Sequence, residues 1–255
     1  SSGVPLTESV FDGLERTPDQ LDDASGALPD ESLACERDAG GATLLARAVL
    51  PAATFAPGPT SGRALGIAAI NGVTPPFVNQ QPVQGFSALL PAGRGRFFAL
   101  ADNGFGSFEN SADFRLRVYT LRPDFGARRG SGGVRVEGFF ELSDPDGHIP
   151  FPITEHFTKE RYLTGADFDV ESMQKDRDGT FWFGDELGPF LLHTDAQGRL
   201  LEAPIALPDP DGAGVLRAPQ SPLTEEATAV RVMNAVRHHA RVHGNDRAPV
   251  FSPYH

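Results

Sequence analysis

A chain of 255 residues can bury roughly 70–75% of the surface it exposes when unfolded, so its fold needs no covalent staples. The single cysteine, Cys35, excludes an internal disulfide framework and suits an extracytoplasmic compartment where free thiols are avoided. Thirty-four Asp and Glu against 22 Lys and Arg leave a formal charge of -12, which excludes nucleic acid as a partner and favours cations.

Residues 1–40 are acidic and poor in β-branched residues, with Asp19, Asp22, Asp23, Asp30, Glu31, Glu36 and Asp38 close together. They read as a poorly structured arm with little core of its own, and the carboxylates lack the regular spacing of a cation-binding loop. The first residues have neither the charged start nor the apolar middle of a signal peptide. No apolar run approaches the ~18 residues that span a bilayer, so no transmembrane segment is expected.

From Gly41 onward short apolar runs alternate with turns built from the abundant Gly and Pro, the texture of an all-β domain. Residues 84–89, a Gly-rich turn and Phe97-Phe98-Ala99-Leu100-Ala101 form one strand-turn-strand unit, closed by Asp102-Asn103-Gly104. Residues 115–121 alternate polar with apolar, the period of a strand with one wet face. Asp144-Pro145-Asp146-Gly147 and Asp209-Pro210-Asp211-Gly212 are turn chemistry. Residues 169–173, a tight turn at Asp178-Gly179 and Phe181-Trp182-Phe183-Gly184 repeat the first unit, closed by Asp185-Glu186-Leu187-Gly188. Residues 191–195 and 198–201 supply a further hairpin. Such repetition is the pattern of β-propeller blades, and it predicts that Phe86, Leu89, Phe97, Phe98, Leu100, Phe181, Trp182 and Phe183 are mostly buried. One segment departs from it. Ser221-Pro222 caps a helix predicted near 222–243, with Glu225 and Glu226 at its positive end, although its valines also permit a strand.

The run Leu163-Thr164-Gly165-Ala166-Asp167-Phe168-Asp169-Val170-Glu171-Ser172, followed by residues 178–189 with their Asp185-Glu186-Leu187-Gly188-Pro189 ending, resembles the phytase-like esterase family. Residues 52–62, Gly85-Phe86-Ser87 and Ala101-Asp102-Asn103-Gly104-Phe105-Gly106 extend the resemblance from about Gly41 onward. It implies a β-propeller, commonly exported by bacteria, with phosphoesterase or esterase activity. Family members continue into further repeats, including one opened by Gly-Phe-Glu. Residues 41–255 are therefore expected to supply only part of the ring, completed by further residues or another polypeptide.

Asp167, Asp169 and Glu171 alternate along a predicted strand, and Asp185 with Glu186 ends its neighbour. Asp102 and Asn103 stand at the same end of the earlier repeat. Gathered carboxylates repel one another unless a cation or protons neutralise them, and oxygen-only ligands point to Ca²⁺ first and Mg²⁺ or Mn²⁺ second. The same seven residues also suit a plainer role, capping turns through backbone N–H groups. Asp185, Glu186 and His193 are candidate catalytic groups, with His148 and His156 as further acid or ligand candidates. Lys159, Arg161 and Lys175 are candidate phosphate contacts. His239 and His243 share a helical spacing but lack the glutamate of a zinc protease, and no Gly-x-Ser-x-Gly elbow or phosphate-cradling loop is present.

These features predict a metal-dependent hydrolase of small phosphoesters at the mouth of a propeller. Two other readings stay open: a non-catalytic extracytoplasmic binding or scaffold propeller, and a Ca²⁺-dependent lactonase-like esterase.

Overall fold

The computed structural model describes residues 9–10, 44–126, 130–210 and 214–218. The helix expected near 222–243, its histidines, Cys35 and most of the acidic arm lie outside the described residues. Every regular element among the described residues is a β-strand. Two short antiparallel pairs come from the first third of the chain: β1 (Ser9–Val10) with β2 (Val49–Leu50), and β3 (Phe55–Pro57) with β4 (Gln80–Pro82). Among the described residues, the arm contributes one strand.

The first large sheet holds β5 (Phe86–Gly93), β6 (Arg96–Ala101), β7 (Arg117–Pro123) and β8 (Val134–Glu141), each antiparallel to the next. The second repeats the arrangement with β9 (Val170–Lys175), β10 (Phe181–Asp185), β11 (Phe190–Thr194) and β12 (Ile205–Ala206). The two strand-turn-strand units legible in the sequence are the β5/β6 and β9/β10 hairpins. In the second, the Asp178 carboxylate accepts the Thr180 N–H at 3.0 Å and its hydroxyl at 2.7 Å. Gly179 adopts φ +96° there, a conformation that residues with a Cβ rarely reach.

The two sheets share one core. Leu100, Leu116, Val118 and Leu142 from the first side pack with Val170, Met173, Phe181, Phe183 and Leu192 from the second, all nearly inaccessible. Phe98 meets Phe181 edge-on at 5.4 Å and 88°. Each such large apolar side chain contributes about 1.5–3 kcal/mol of burial. On β10, Phe181, Phe183 and Asp185 are buried and alternate with half-buried Trp182 and Gly184, as a strand's period of two requires.

A second core covers the opposite face of the first sheet, where Ala99, Ala101, Tyr119 and Leu121 pack with Leu50, Ala56 and Val83. Cover on both faces explains why residues 97–101 are continuously apolar. The burial predicted for Leu89 does not hold, since it is 43% exposed. It lies on β5, an edge strand of its sheet, where the face turned away from the shared core has a neighbour on one side only. Trp182 is half-buried, its ring stacked on that of His193 at 4.0 Å.

The chain passes from β8 to β9 through residues 142–169, which fold back on the start of β7. Leu142 N–H donates to Leu116 O at 3.0 Å, Leu163 N–H to Leu142 O at 2.9 Å, and Leu116 N–H to Leu163 O at 3.0 Å. Gly165 N–H donates to Phe114 O at 2.9 Å, which sets this crossover against the loop that follows β6.

Candidate metal centre

Matching bulges shape the β5/β6 and β9/β10 hairpins. In the second sheet Val170 stands opposite Asp185 and Ser172 opposite Gly184, which leaves Glu171 as the extra residue. In the first, Phe86 stands opposite Ala101 and Ala88 opposite Leu100, which leaves Ser87. Bulges re-aim side chains at the ends of sheets. The bonds beyond them match as well: Asp102 N–H donates to Gly85 O at 2.8 Å and Glu186 N–H to Asp169 O at 2.9 Å. Asp102 therefore corresponds to Glu186, one residue away from the pairing of Asp102-Asn103 with Asp185-Glu186 that the sequence suggested.

Asp169, Glu171 and Glu186 place carboxylate oxygens within 4.8 Å of one another, with Asp169 buried and both glutamates exposed. Asn103 holds Asp169 in place, donating its backbone N–H to Oδ1 at 3.1 Å and its side-chain Nδ2 to Oδ2 at 2.6 Å. The amide oxygen of Asn103 accepts the Gly106 N–H at 2.8 Å, so this residue orients a carboxylate and braces its own loop. Buried Gln84 supports the loop further, donating Nε2 to Gly104 O at 2.6 Å. Asp102 accepts the Gly104 N–H at 2.7 Å.

Burial pushes the Asp169 carboxyl up to about 7, with the Glu171 and Asp102 charges adding to the shift and the Asn103 N–H opposing it. Asp102 is raised to about 6, again first by burial, against the Gly104 N–H and with help from Glu171 and Glu186. Both shifts have one origin, burial of an aspartate carboxyl with neighbouring carboxylates of like charge.

Other expected ligands serve the backbone. Asp167 lies in the turn before β9, not on the strand, so it does not share a face with Glu171. Its Oδ1 accepts the Thr154 N–H and hydroxyl at 2.8 and 3.0 Å, and its Oδ2 accepts those of Thr164, both at 2.9 Å. Asp185 accepts the N–H groups of Asp169, Leu187 and Gly188 at 2.7, 3.2 and 2.7 Å, which pins the start of β9 to the loop after β10.

The basic and histidine candidates lie elsewhere. His193 stands opposite Trp182, three positions along the hairpin from Asp185, and its Nδ1 is 2.9 Å from Glu202 Oε1. At about 3.3 Å per residue that separates it from Asp185 by roughly 10 Å. Lys175 is at the far end of β9, its ammonium over the rings of Phe98 and Phe181. Arg161 is paired with fully buried Asp144, Nη2 to Oδ2 at 2.9 Å. Asp144 also accepts the His148 and Ile149 N–H groups, so the Asp-Pro-Asp-Gly run is turn chemistry as read. Lys159 lines a separate cavity.

Two features of the site were not singled out from sequence. A Cβ on Gly85, at φ +63°, would collide with the Asp102 carboxylate, so glycine permits that side chain its position. Arg115 bridges Glu155 and Glu141, each at 3.0 Å, while Arg117 reaches Glu141 Oε1 with Nε at 3.0 Å and Nη2 at 2.6 Å. This network braces the crossover behind the site through partners 24 to 40 residues apart, a separation no local pattern reveals.

A family model described as phytase-like, esterase-like activity of phytase, matches residues 81–236, more than half of the chain. No curated protein and no solved structure matches it.

Proposed function

Because this chain belongs to the phytase-like family, we propose that it is a metal-dependent hydrolase of small phosphoesters whose cation sits between Asp169, Glu171 and Glu186. The observation that carries the reading is the approach of these carboxylates to within 4.8 Å of one another. Oxygens on opposite sides of one Ca²⁺, each at about 2.3–2.6 Å, are separated by about that much. The all-oxygen donor set suits Ca²⁺, and Mg²⁺ or Mn²⁺ after it. When bound, a cation there polarises a phosphoryl oxygen and lowers the pKa of a coordinated water.

The chain's own groups do the rest. Asn103 fixes the buried carboxylate of Asp169, and the exposed Glu171 and Glu186 leave an open side for a substrate. Asp102, titrating near neutrality beside them, is placed to take up and return a proton. The two four-stranded meanders read as blades of a β-propeller with the cluster at its mouth, and the lone cysteine supports an extracytoplasmic location.

Calorimetric titration of metal-stripped protein with Ca²⁺, Mg²⁺ and Mn²⁺, paired with hydrolysis of bis(p-nitrophenyl) phosphate before and after chelation, tests this reading. Binding and turnover are expected together, and Glu186→Gln should weaken binding at least about tenfold without lowering the melting temperature of the metal-free protein, since it removes a like charge from the cluster. Absence of binding at millimolar cation removes the site. Binding without turnover leaves a structural cation on a non-catalytic module.

A further inference from the structure

A cavity of about 420 Å³ lies where β8, the crossover and the turn after β11 converge, and it shares no residue with the carboxylate cluster. Its size falls in the range of about 300–1,000 Å³ usual for small-molecule sites. Phe139, Phe140 and Tyr162 line it together with Lys159 and Arg199. The Arg117 guanidinium lies 3.9 Å over the Phe139 ring and that of Arg115 lies 4.0 Å over Tyr162, so both rings are backed and held. Phe139 is nevertheless 37% exposed.

The charge balance of this cavity runs against that of the chain. Both oxygens of its Glu141 are occupied, one by Arg117 and the other by Arg115, which leaves Glu160 as the carboxylate without such neutralisation. Lys159 and Arg199 are exposed, and neither forms an ion pair with any described residue. In a protein of net charge -12, cationic side chains beside supported aromatic rings mark a place where an anion is accepted locally.

We infer that this cavity is a second ligand site, independent of the cation cluster, which takes a small aromatic oxyanion: the ring rests on Phe139 and Tyr162, and the charged group pairs with Lys159 and Arg199. Its chemistry requires both halves of the ligand, since the cations are solvated when empty and the rings alone offer little area.

Calorimetry with phenyl phosphate tests the site, run in chelator so that no cation can hold the probe at the cluster, with inorganic phosphate and phenol as half-ligands. Saturable binding of phenyl phosphate is expected, at least about tenfold tighter than either half. The Lys159→Ala/Arg199→Ala double variant and Phe139→Ala should each weaken it by at least about threefold, and Glu171→Gln/Glu186→Gln should leave it unchanged. All these side chains are surface-accessible, and melting temperatures check that the variants fold. No binding at millimolar probe, equal affinity in the double variant, or loss of binding with the Glu171 and Glu186 changes would each overturn the assignment.

Discussion

Asp169 is the most perturbed residue of the carboxylate cluster, because it is buried beside like charges and held in place by Asn103. Its carboxyl titrates at about 7 and that of Asp102 at about 6, both above the ~3.9 of an unfolded aspartate. A raised carboxyl pKa means that the folded state binds protons the unfolded state has released, so the metal-free protein loses stability as pH rises from about 4 to 7. Above that window these two groups impose a constant cost. Thermal unfolding of chelated protein should therefore show a melting temperature that rises on acidification from pH 7 to 5. In Asp169→Asn and Asp102→Asn this rise should shrink, and saturating Ca²⁺ should flatten it by replacing the protons. An unchanged pH slope in both variants would show that their carboxyls titrate normally.

At the scale of elements, paired bulges and interlocked loops decide which carboxylates face one another. The bulge at Glu171 turns it toward Asp169 and Glu186, while Asp185 and Asp167 are consumed by backbone N–H groups that hold the loops in position. Gly85 is one position where this construction tolerates little. Gly85→Ala adds a Cβ against the Asp102 carboxylate and demands a positive φ, so it should cost about 1–3 kcal/mol in urea unfolding and weaken cation binding as the loop shifts. A variant as stable as the parent would mean that the loop relaxes freely.

The whole molecule is tied together by the core that its two large sheets share. Leu100 of the first sheet is fully buried in the same cluster as Phe181 and Phe183 of the second. Trp182, the sole tryptophan, reports from the second sheet. Leu100→Ala should therefore lower the stability read from Trp182 fluorescence by about 2–5 kcal/mol, with the circular-dichroism transition moving in step. A fluorescence transition that stays in place while the other moves would mean that the sheets unfold separately.

The sequence by itself determined the class of the fold and the neighbourhood of the site. Periodic apolar runs, the Asp178-Gly179 turn and the repeat of an aromatic strand before an acidic pair all depend on contacts within about twenty residues, and such contacts leave a pattern. The family motif likewise lies in one continuous stretch, and its match over residues 81–236 agrees with that reading. What only the tertiary structure decided is which acidic residues form the cluster. A clustered carboxylate and a capping carboxylate are the same residue type, and they differ in how many backbone N–H and hydroxyl donors the fold aims at them: one backbone N–H at Asp169, against three at Asp185 and two with two hydroxyls at Asp167. Strand register and tertiary pairing likewise placed His193, Arg161 and Lys175 outside the cluster of Asp169, Glu171 and Glu186. The cavity beside Phe139 was hidden for the same reason, since its walls come from segments brought together only when the sheets pack.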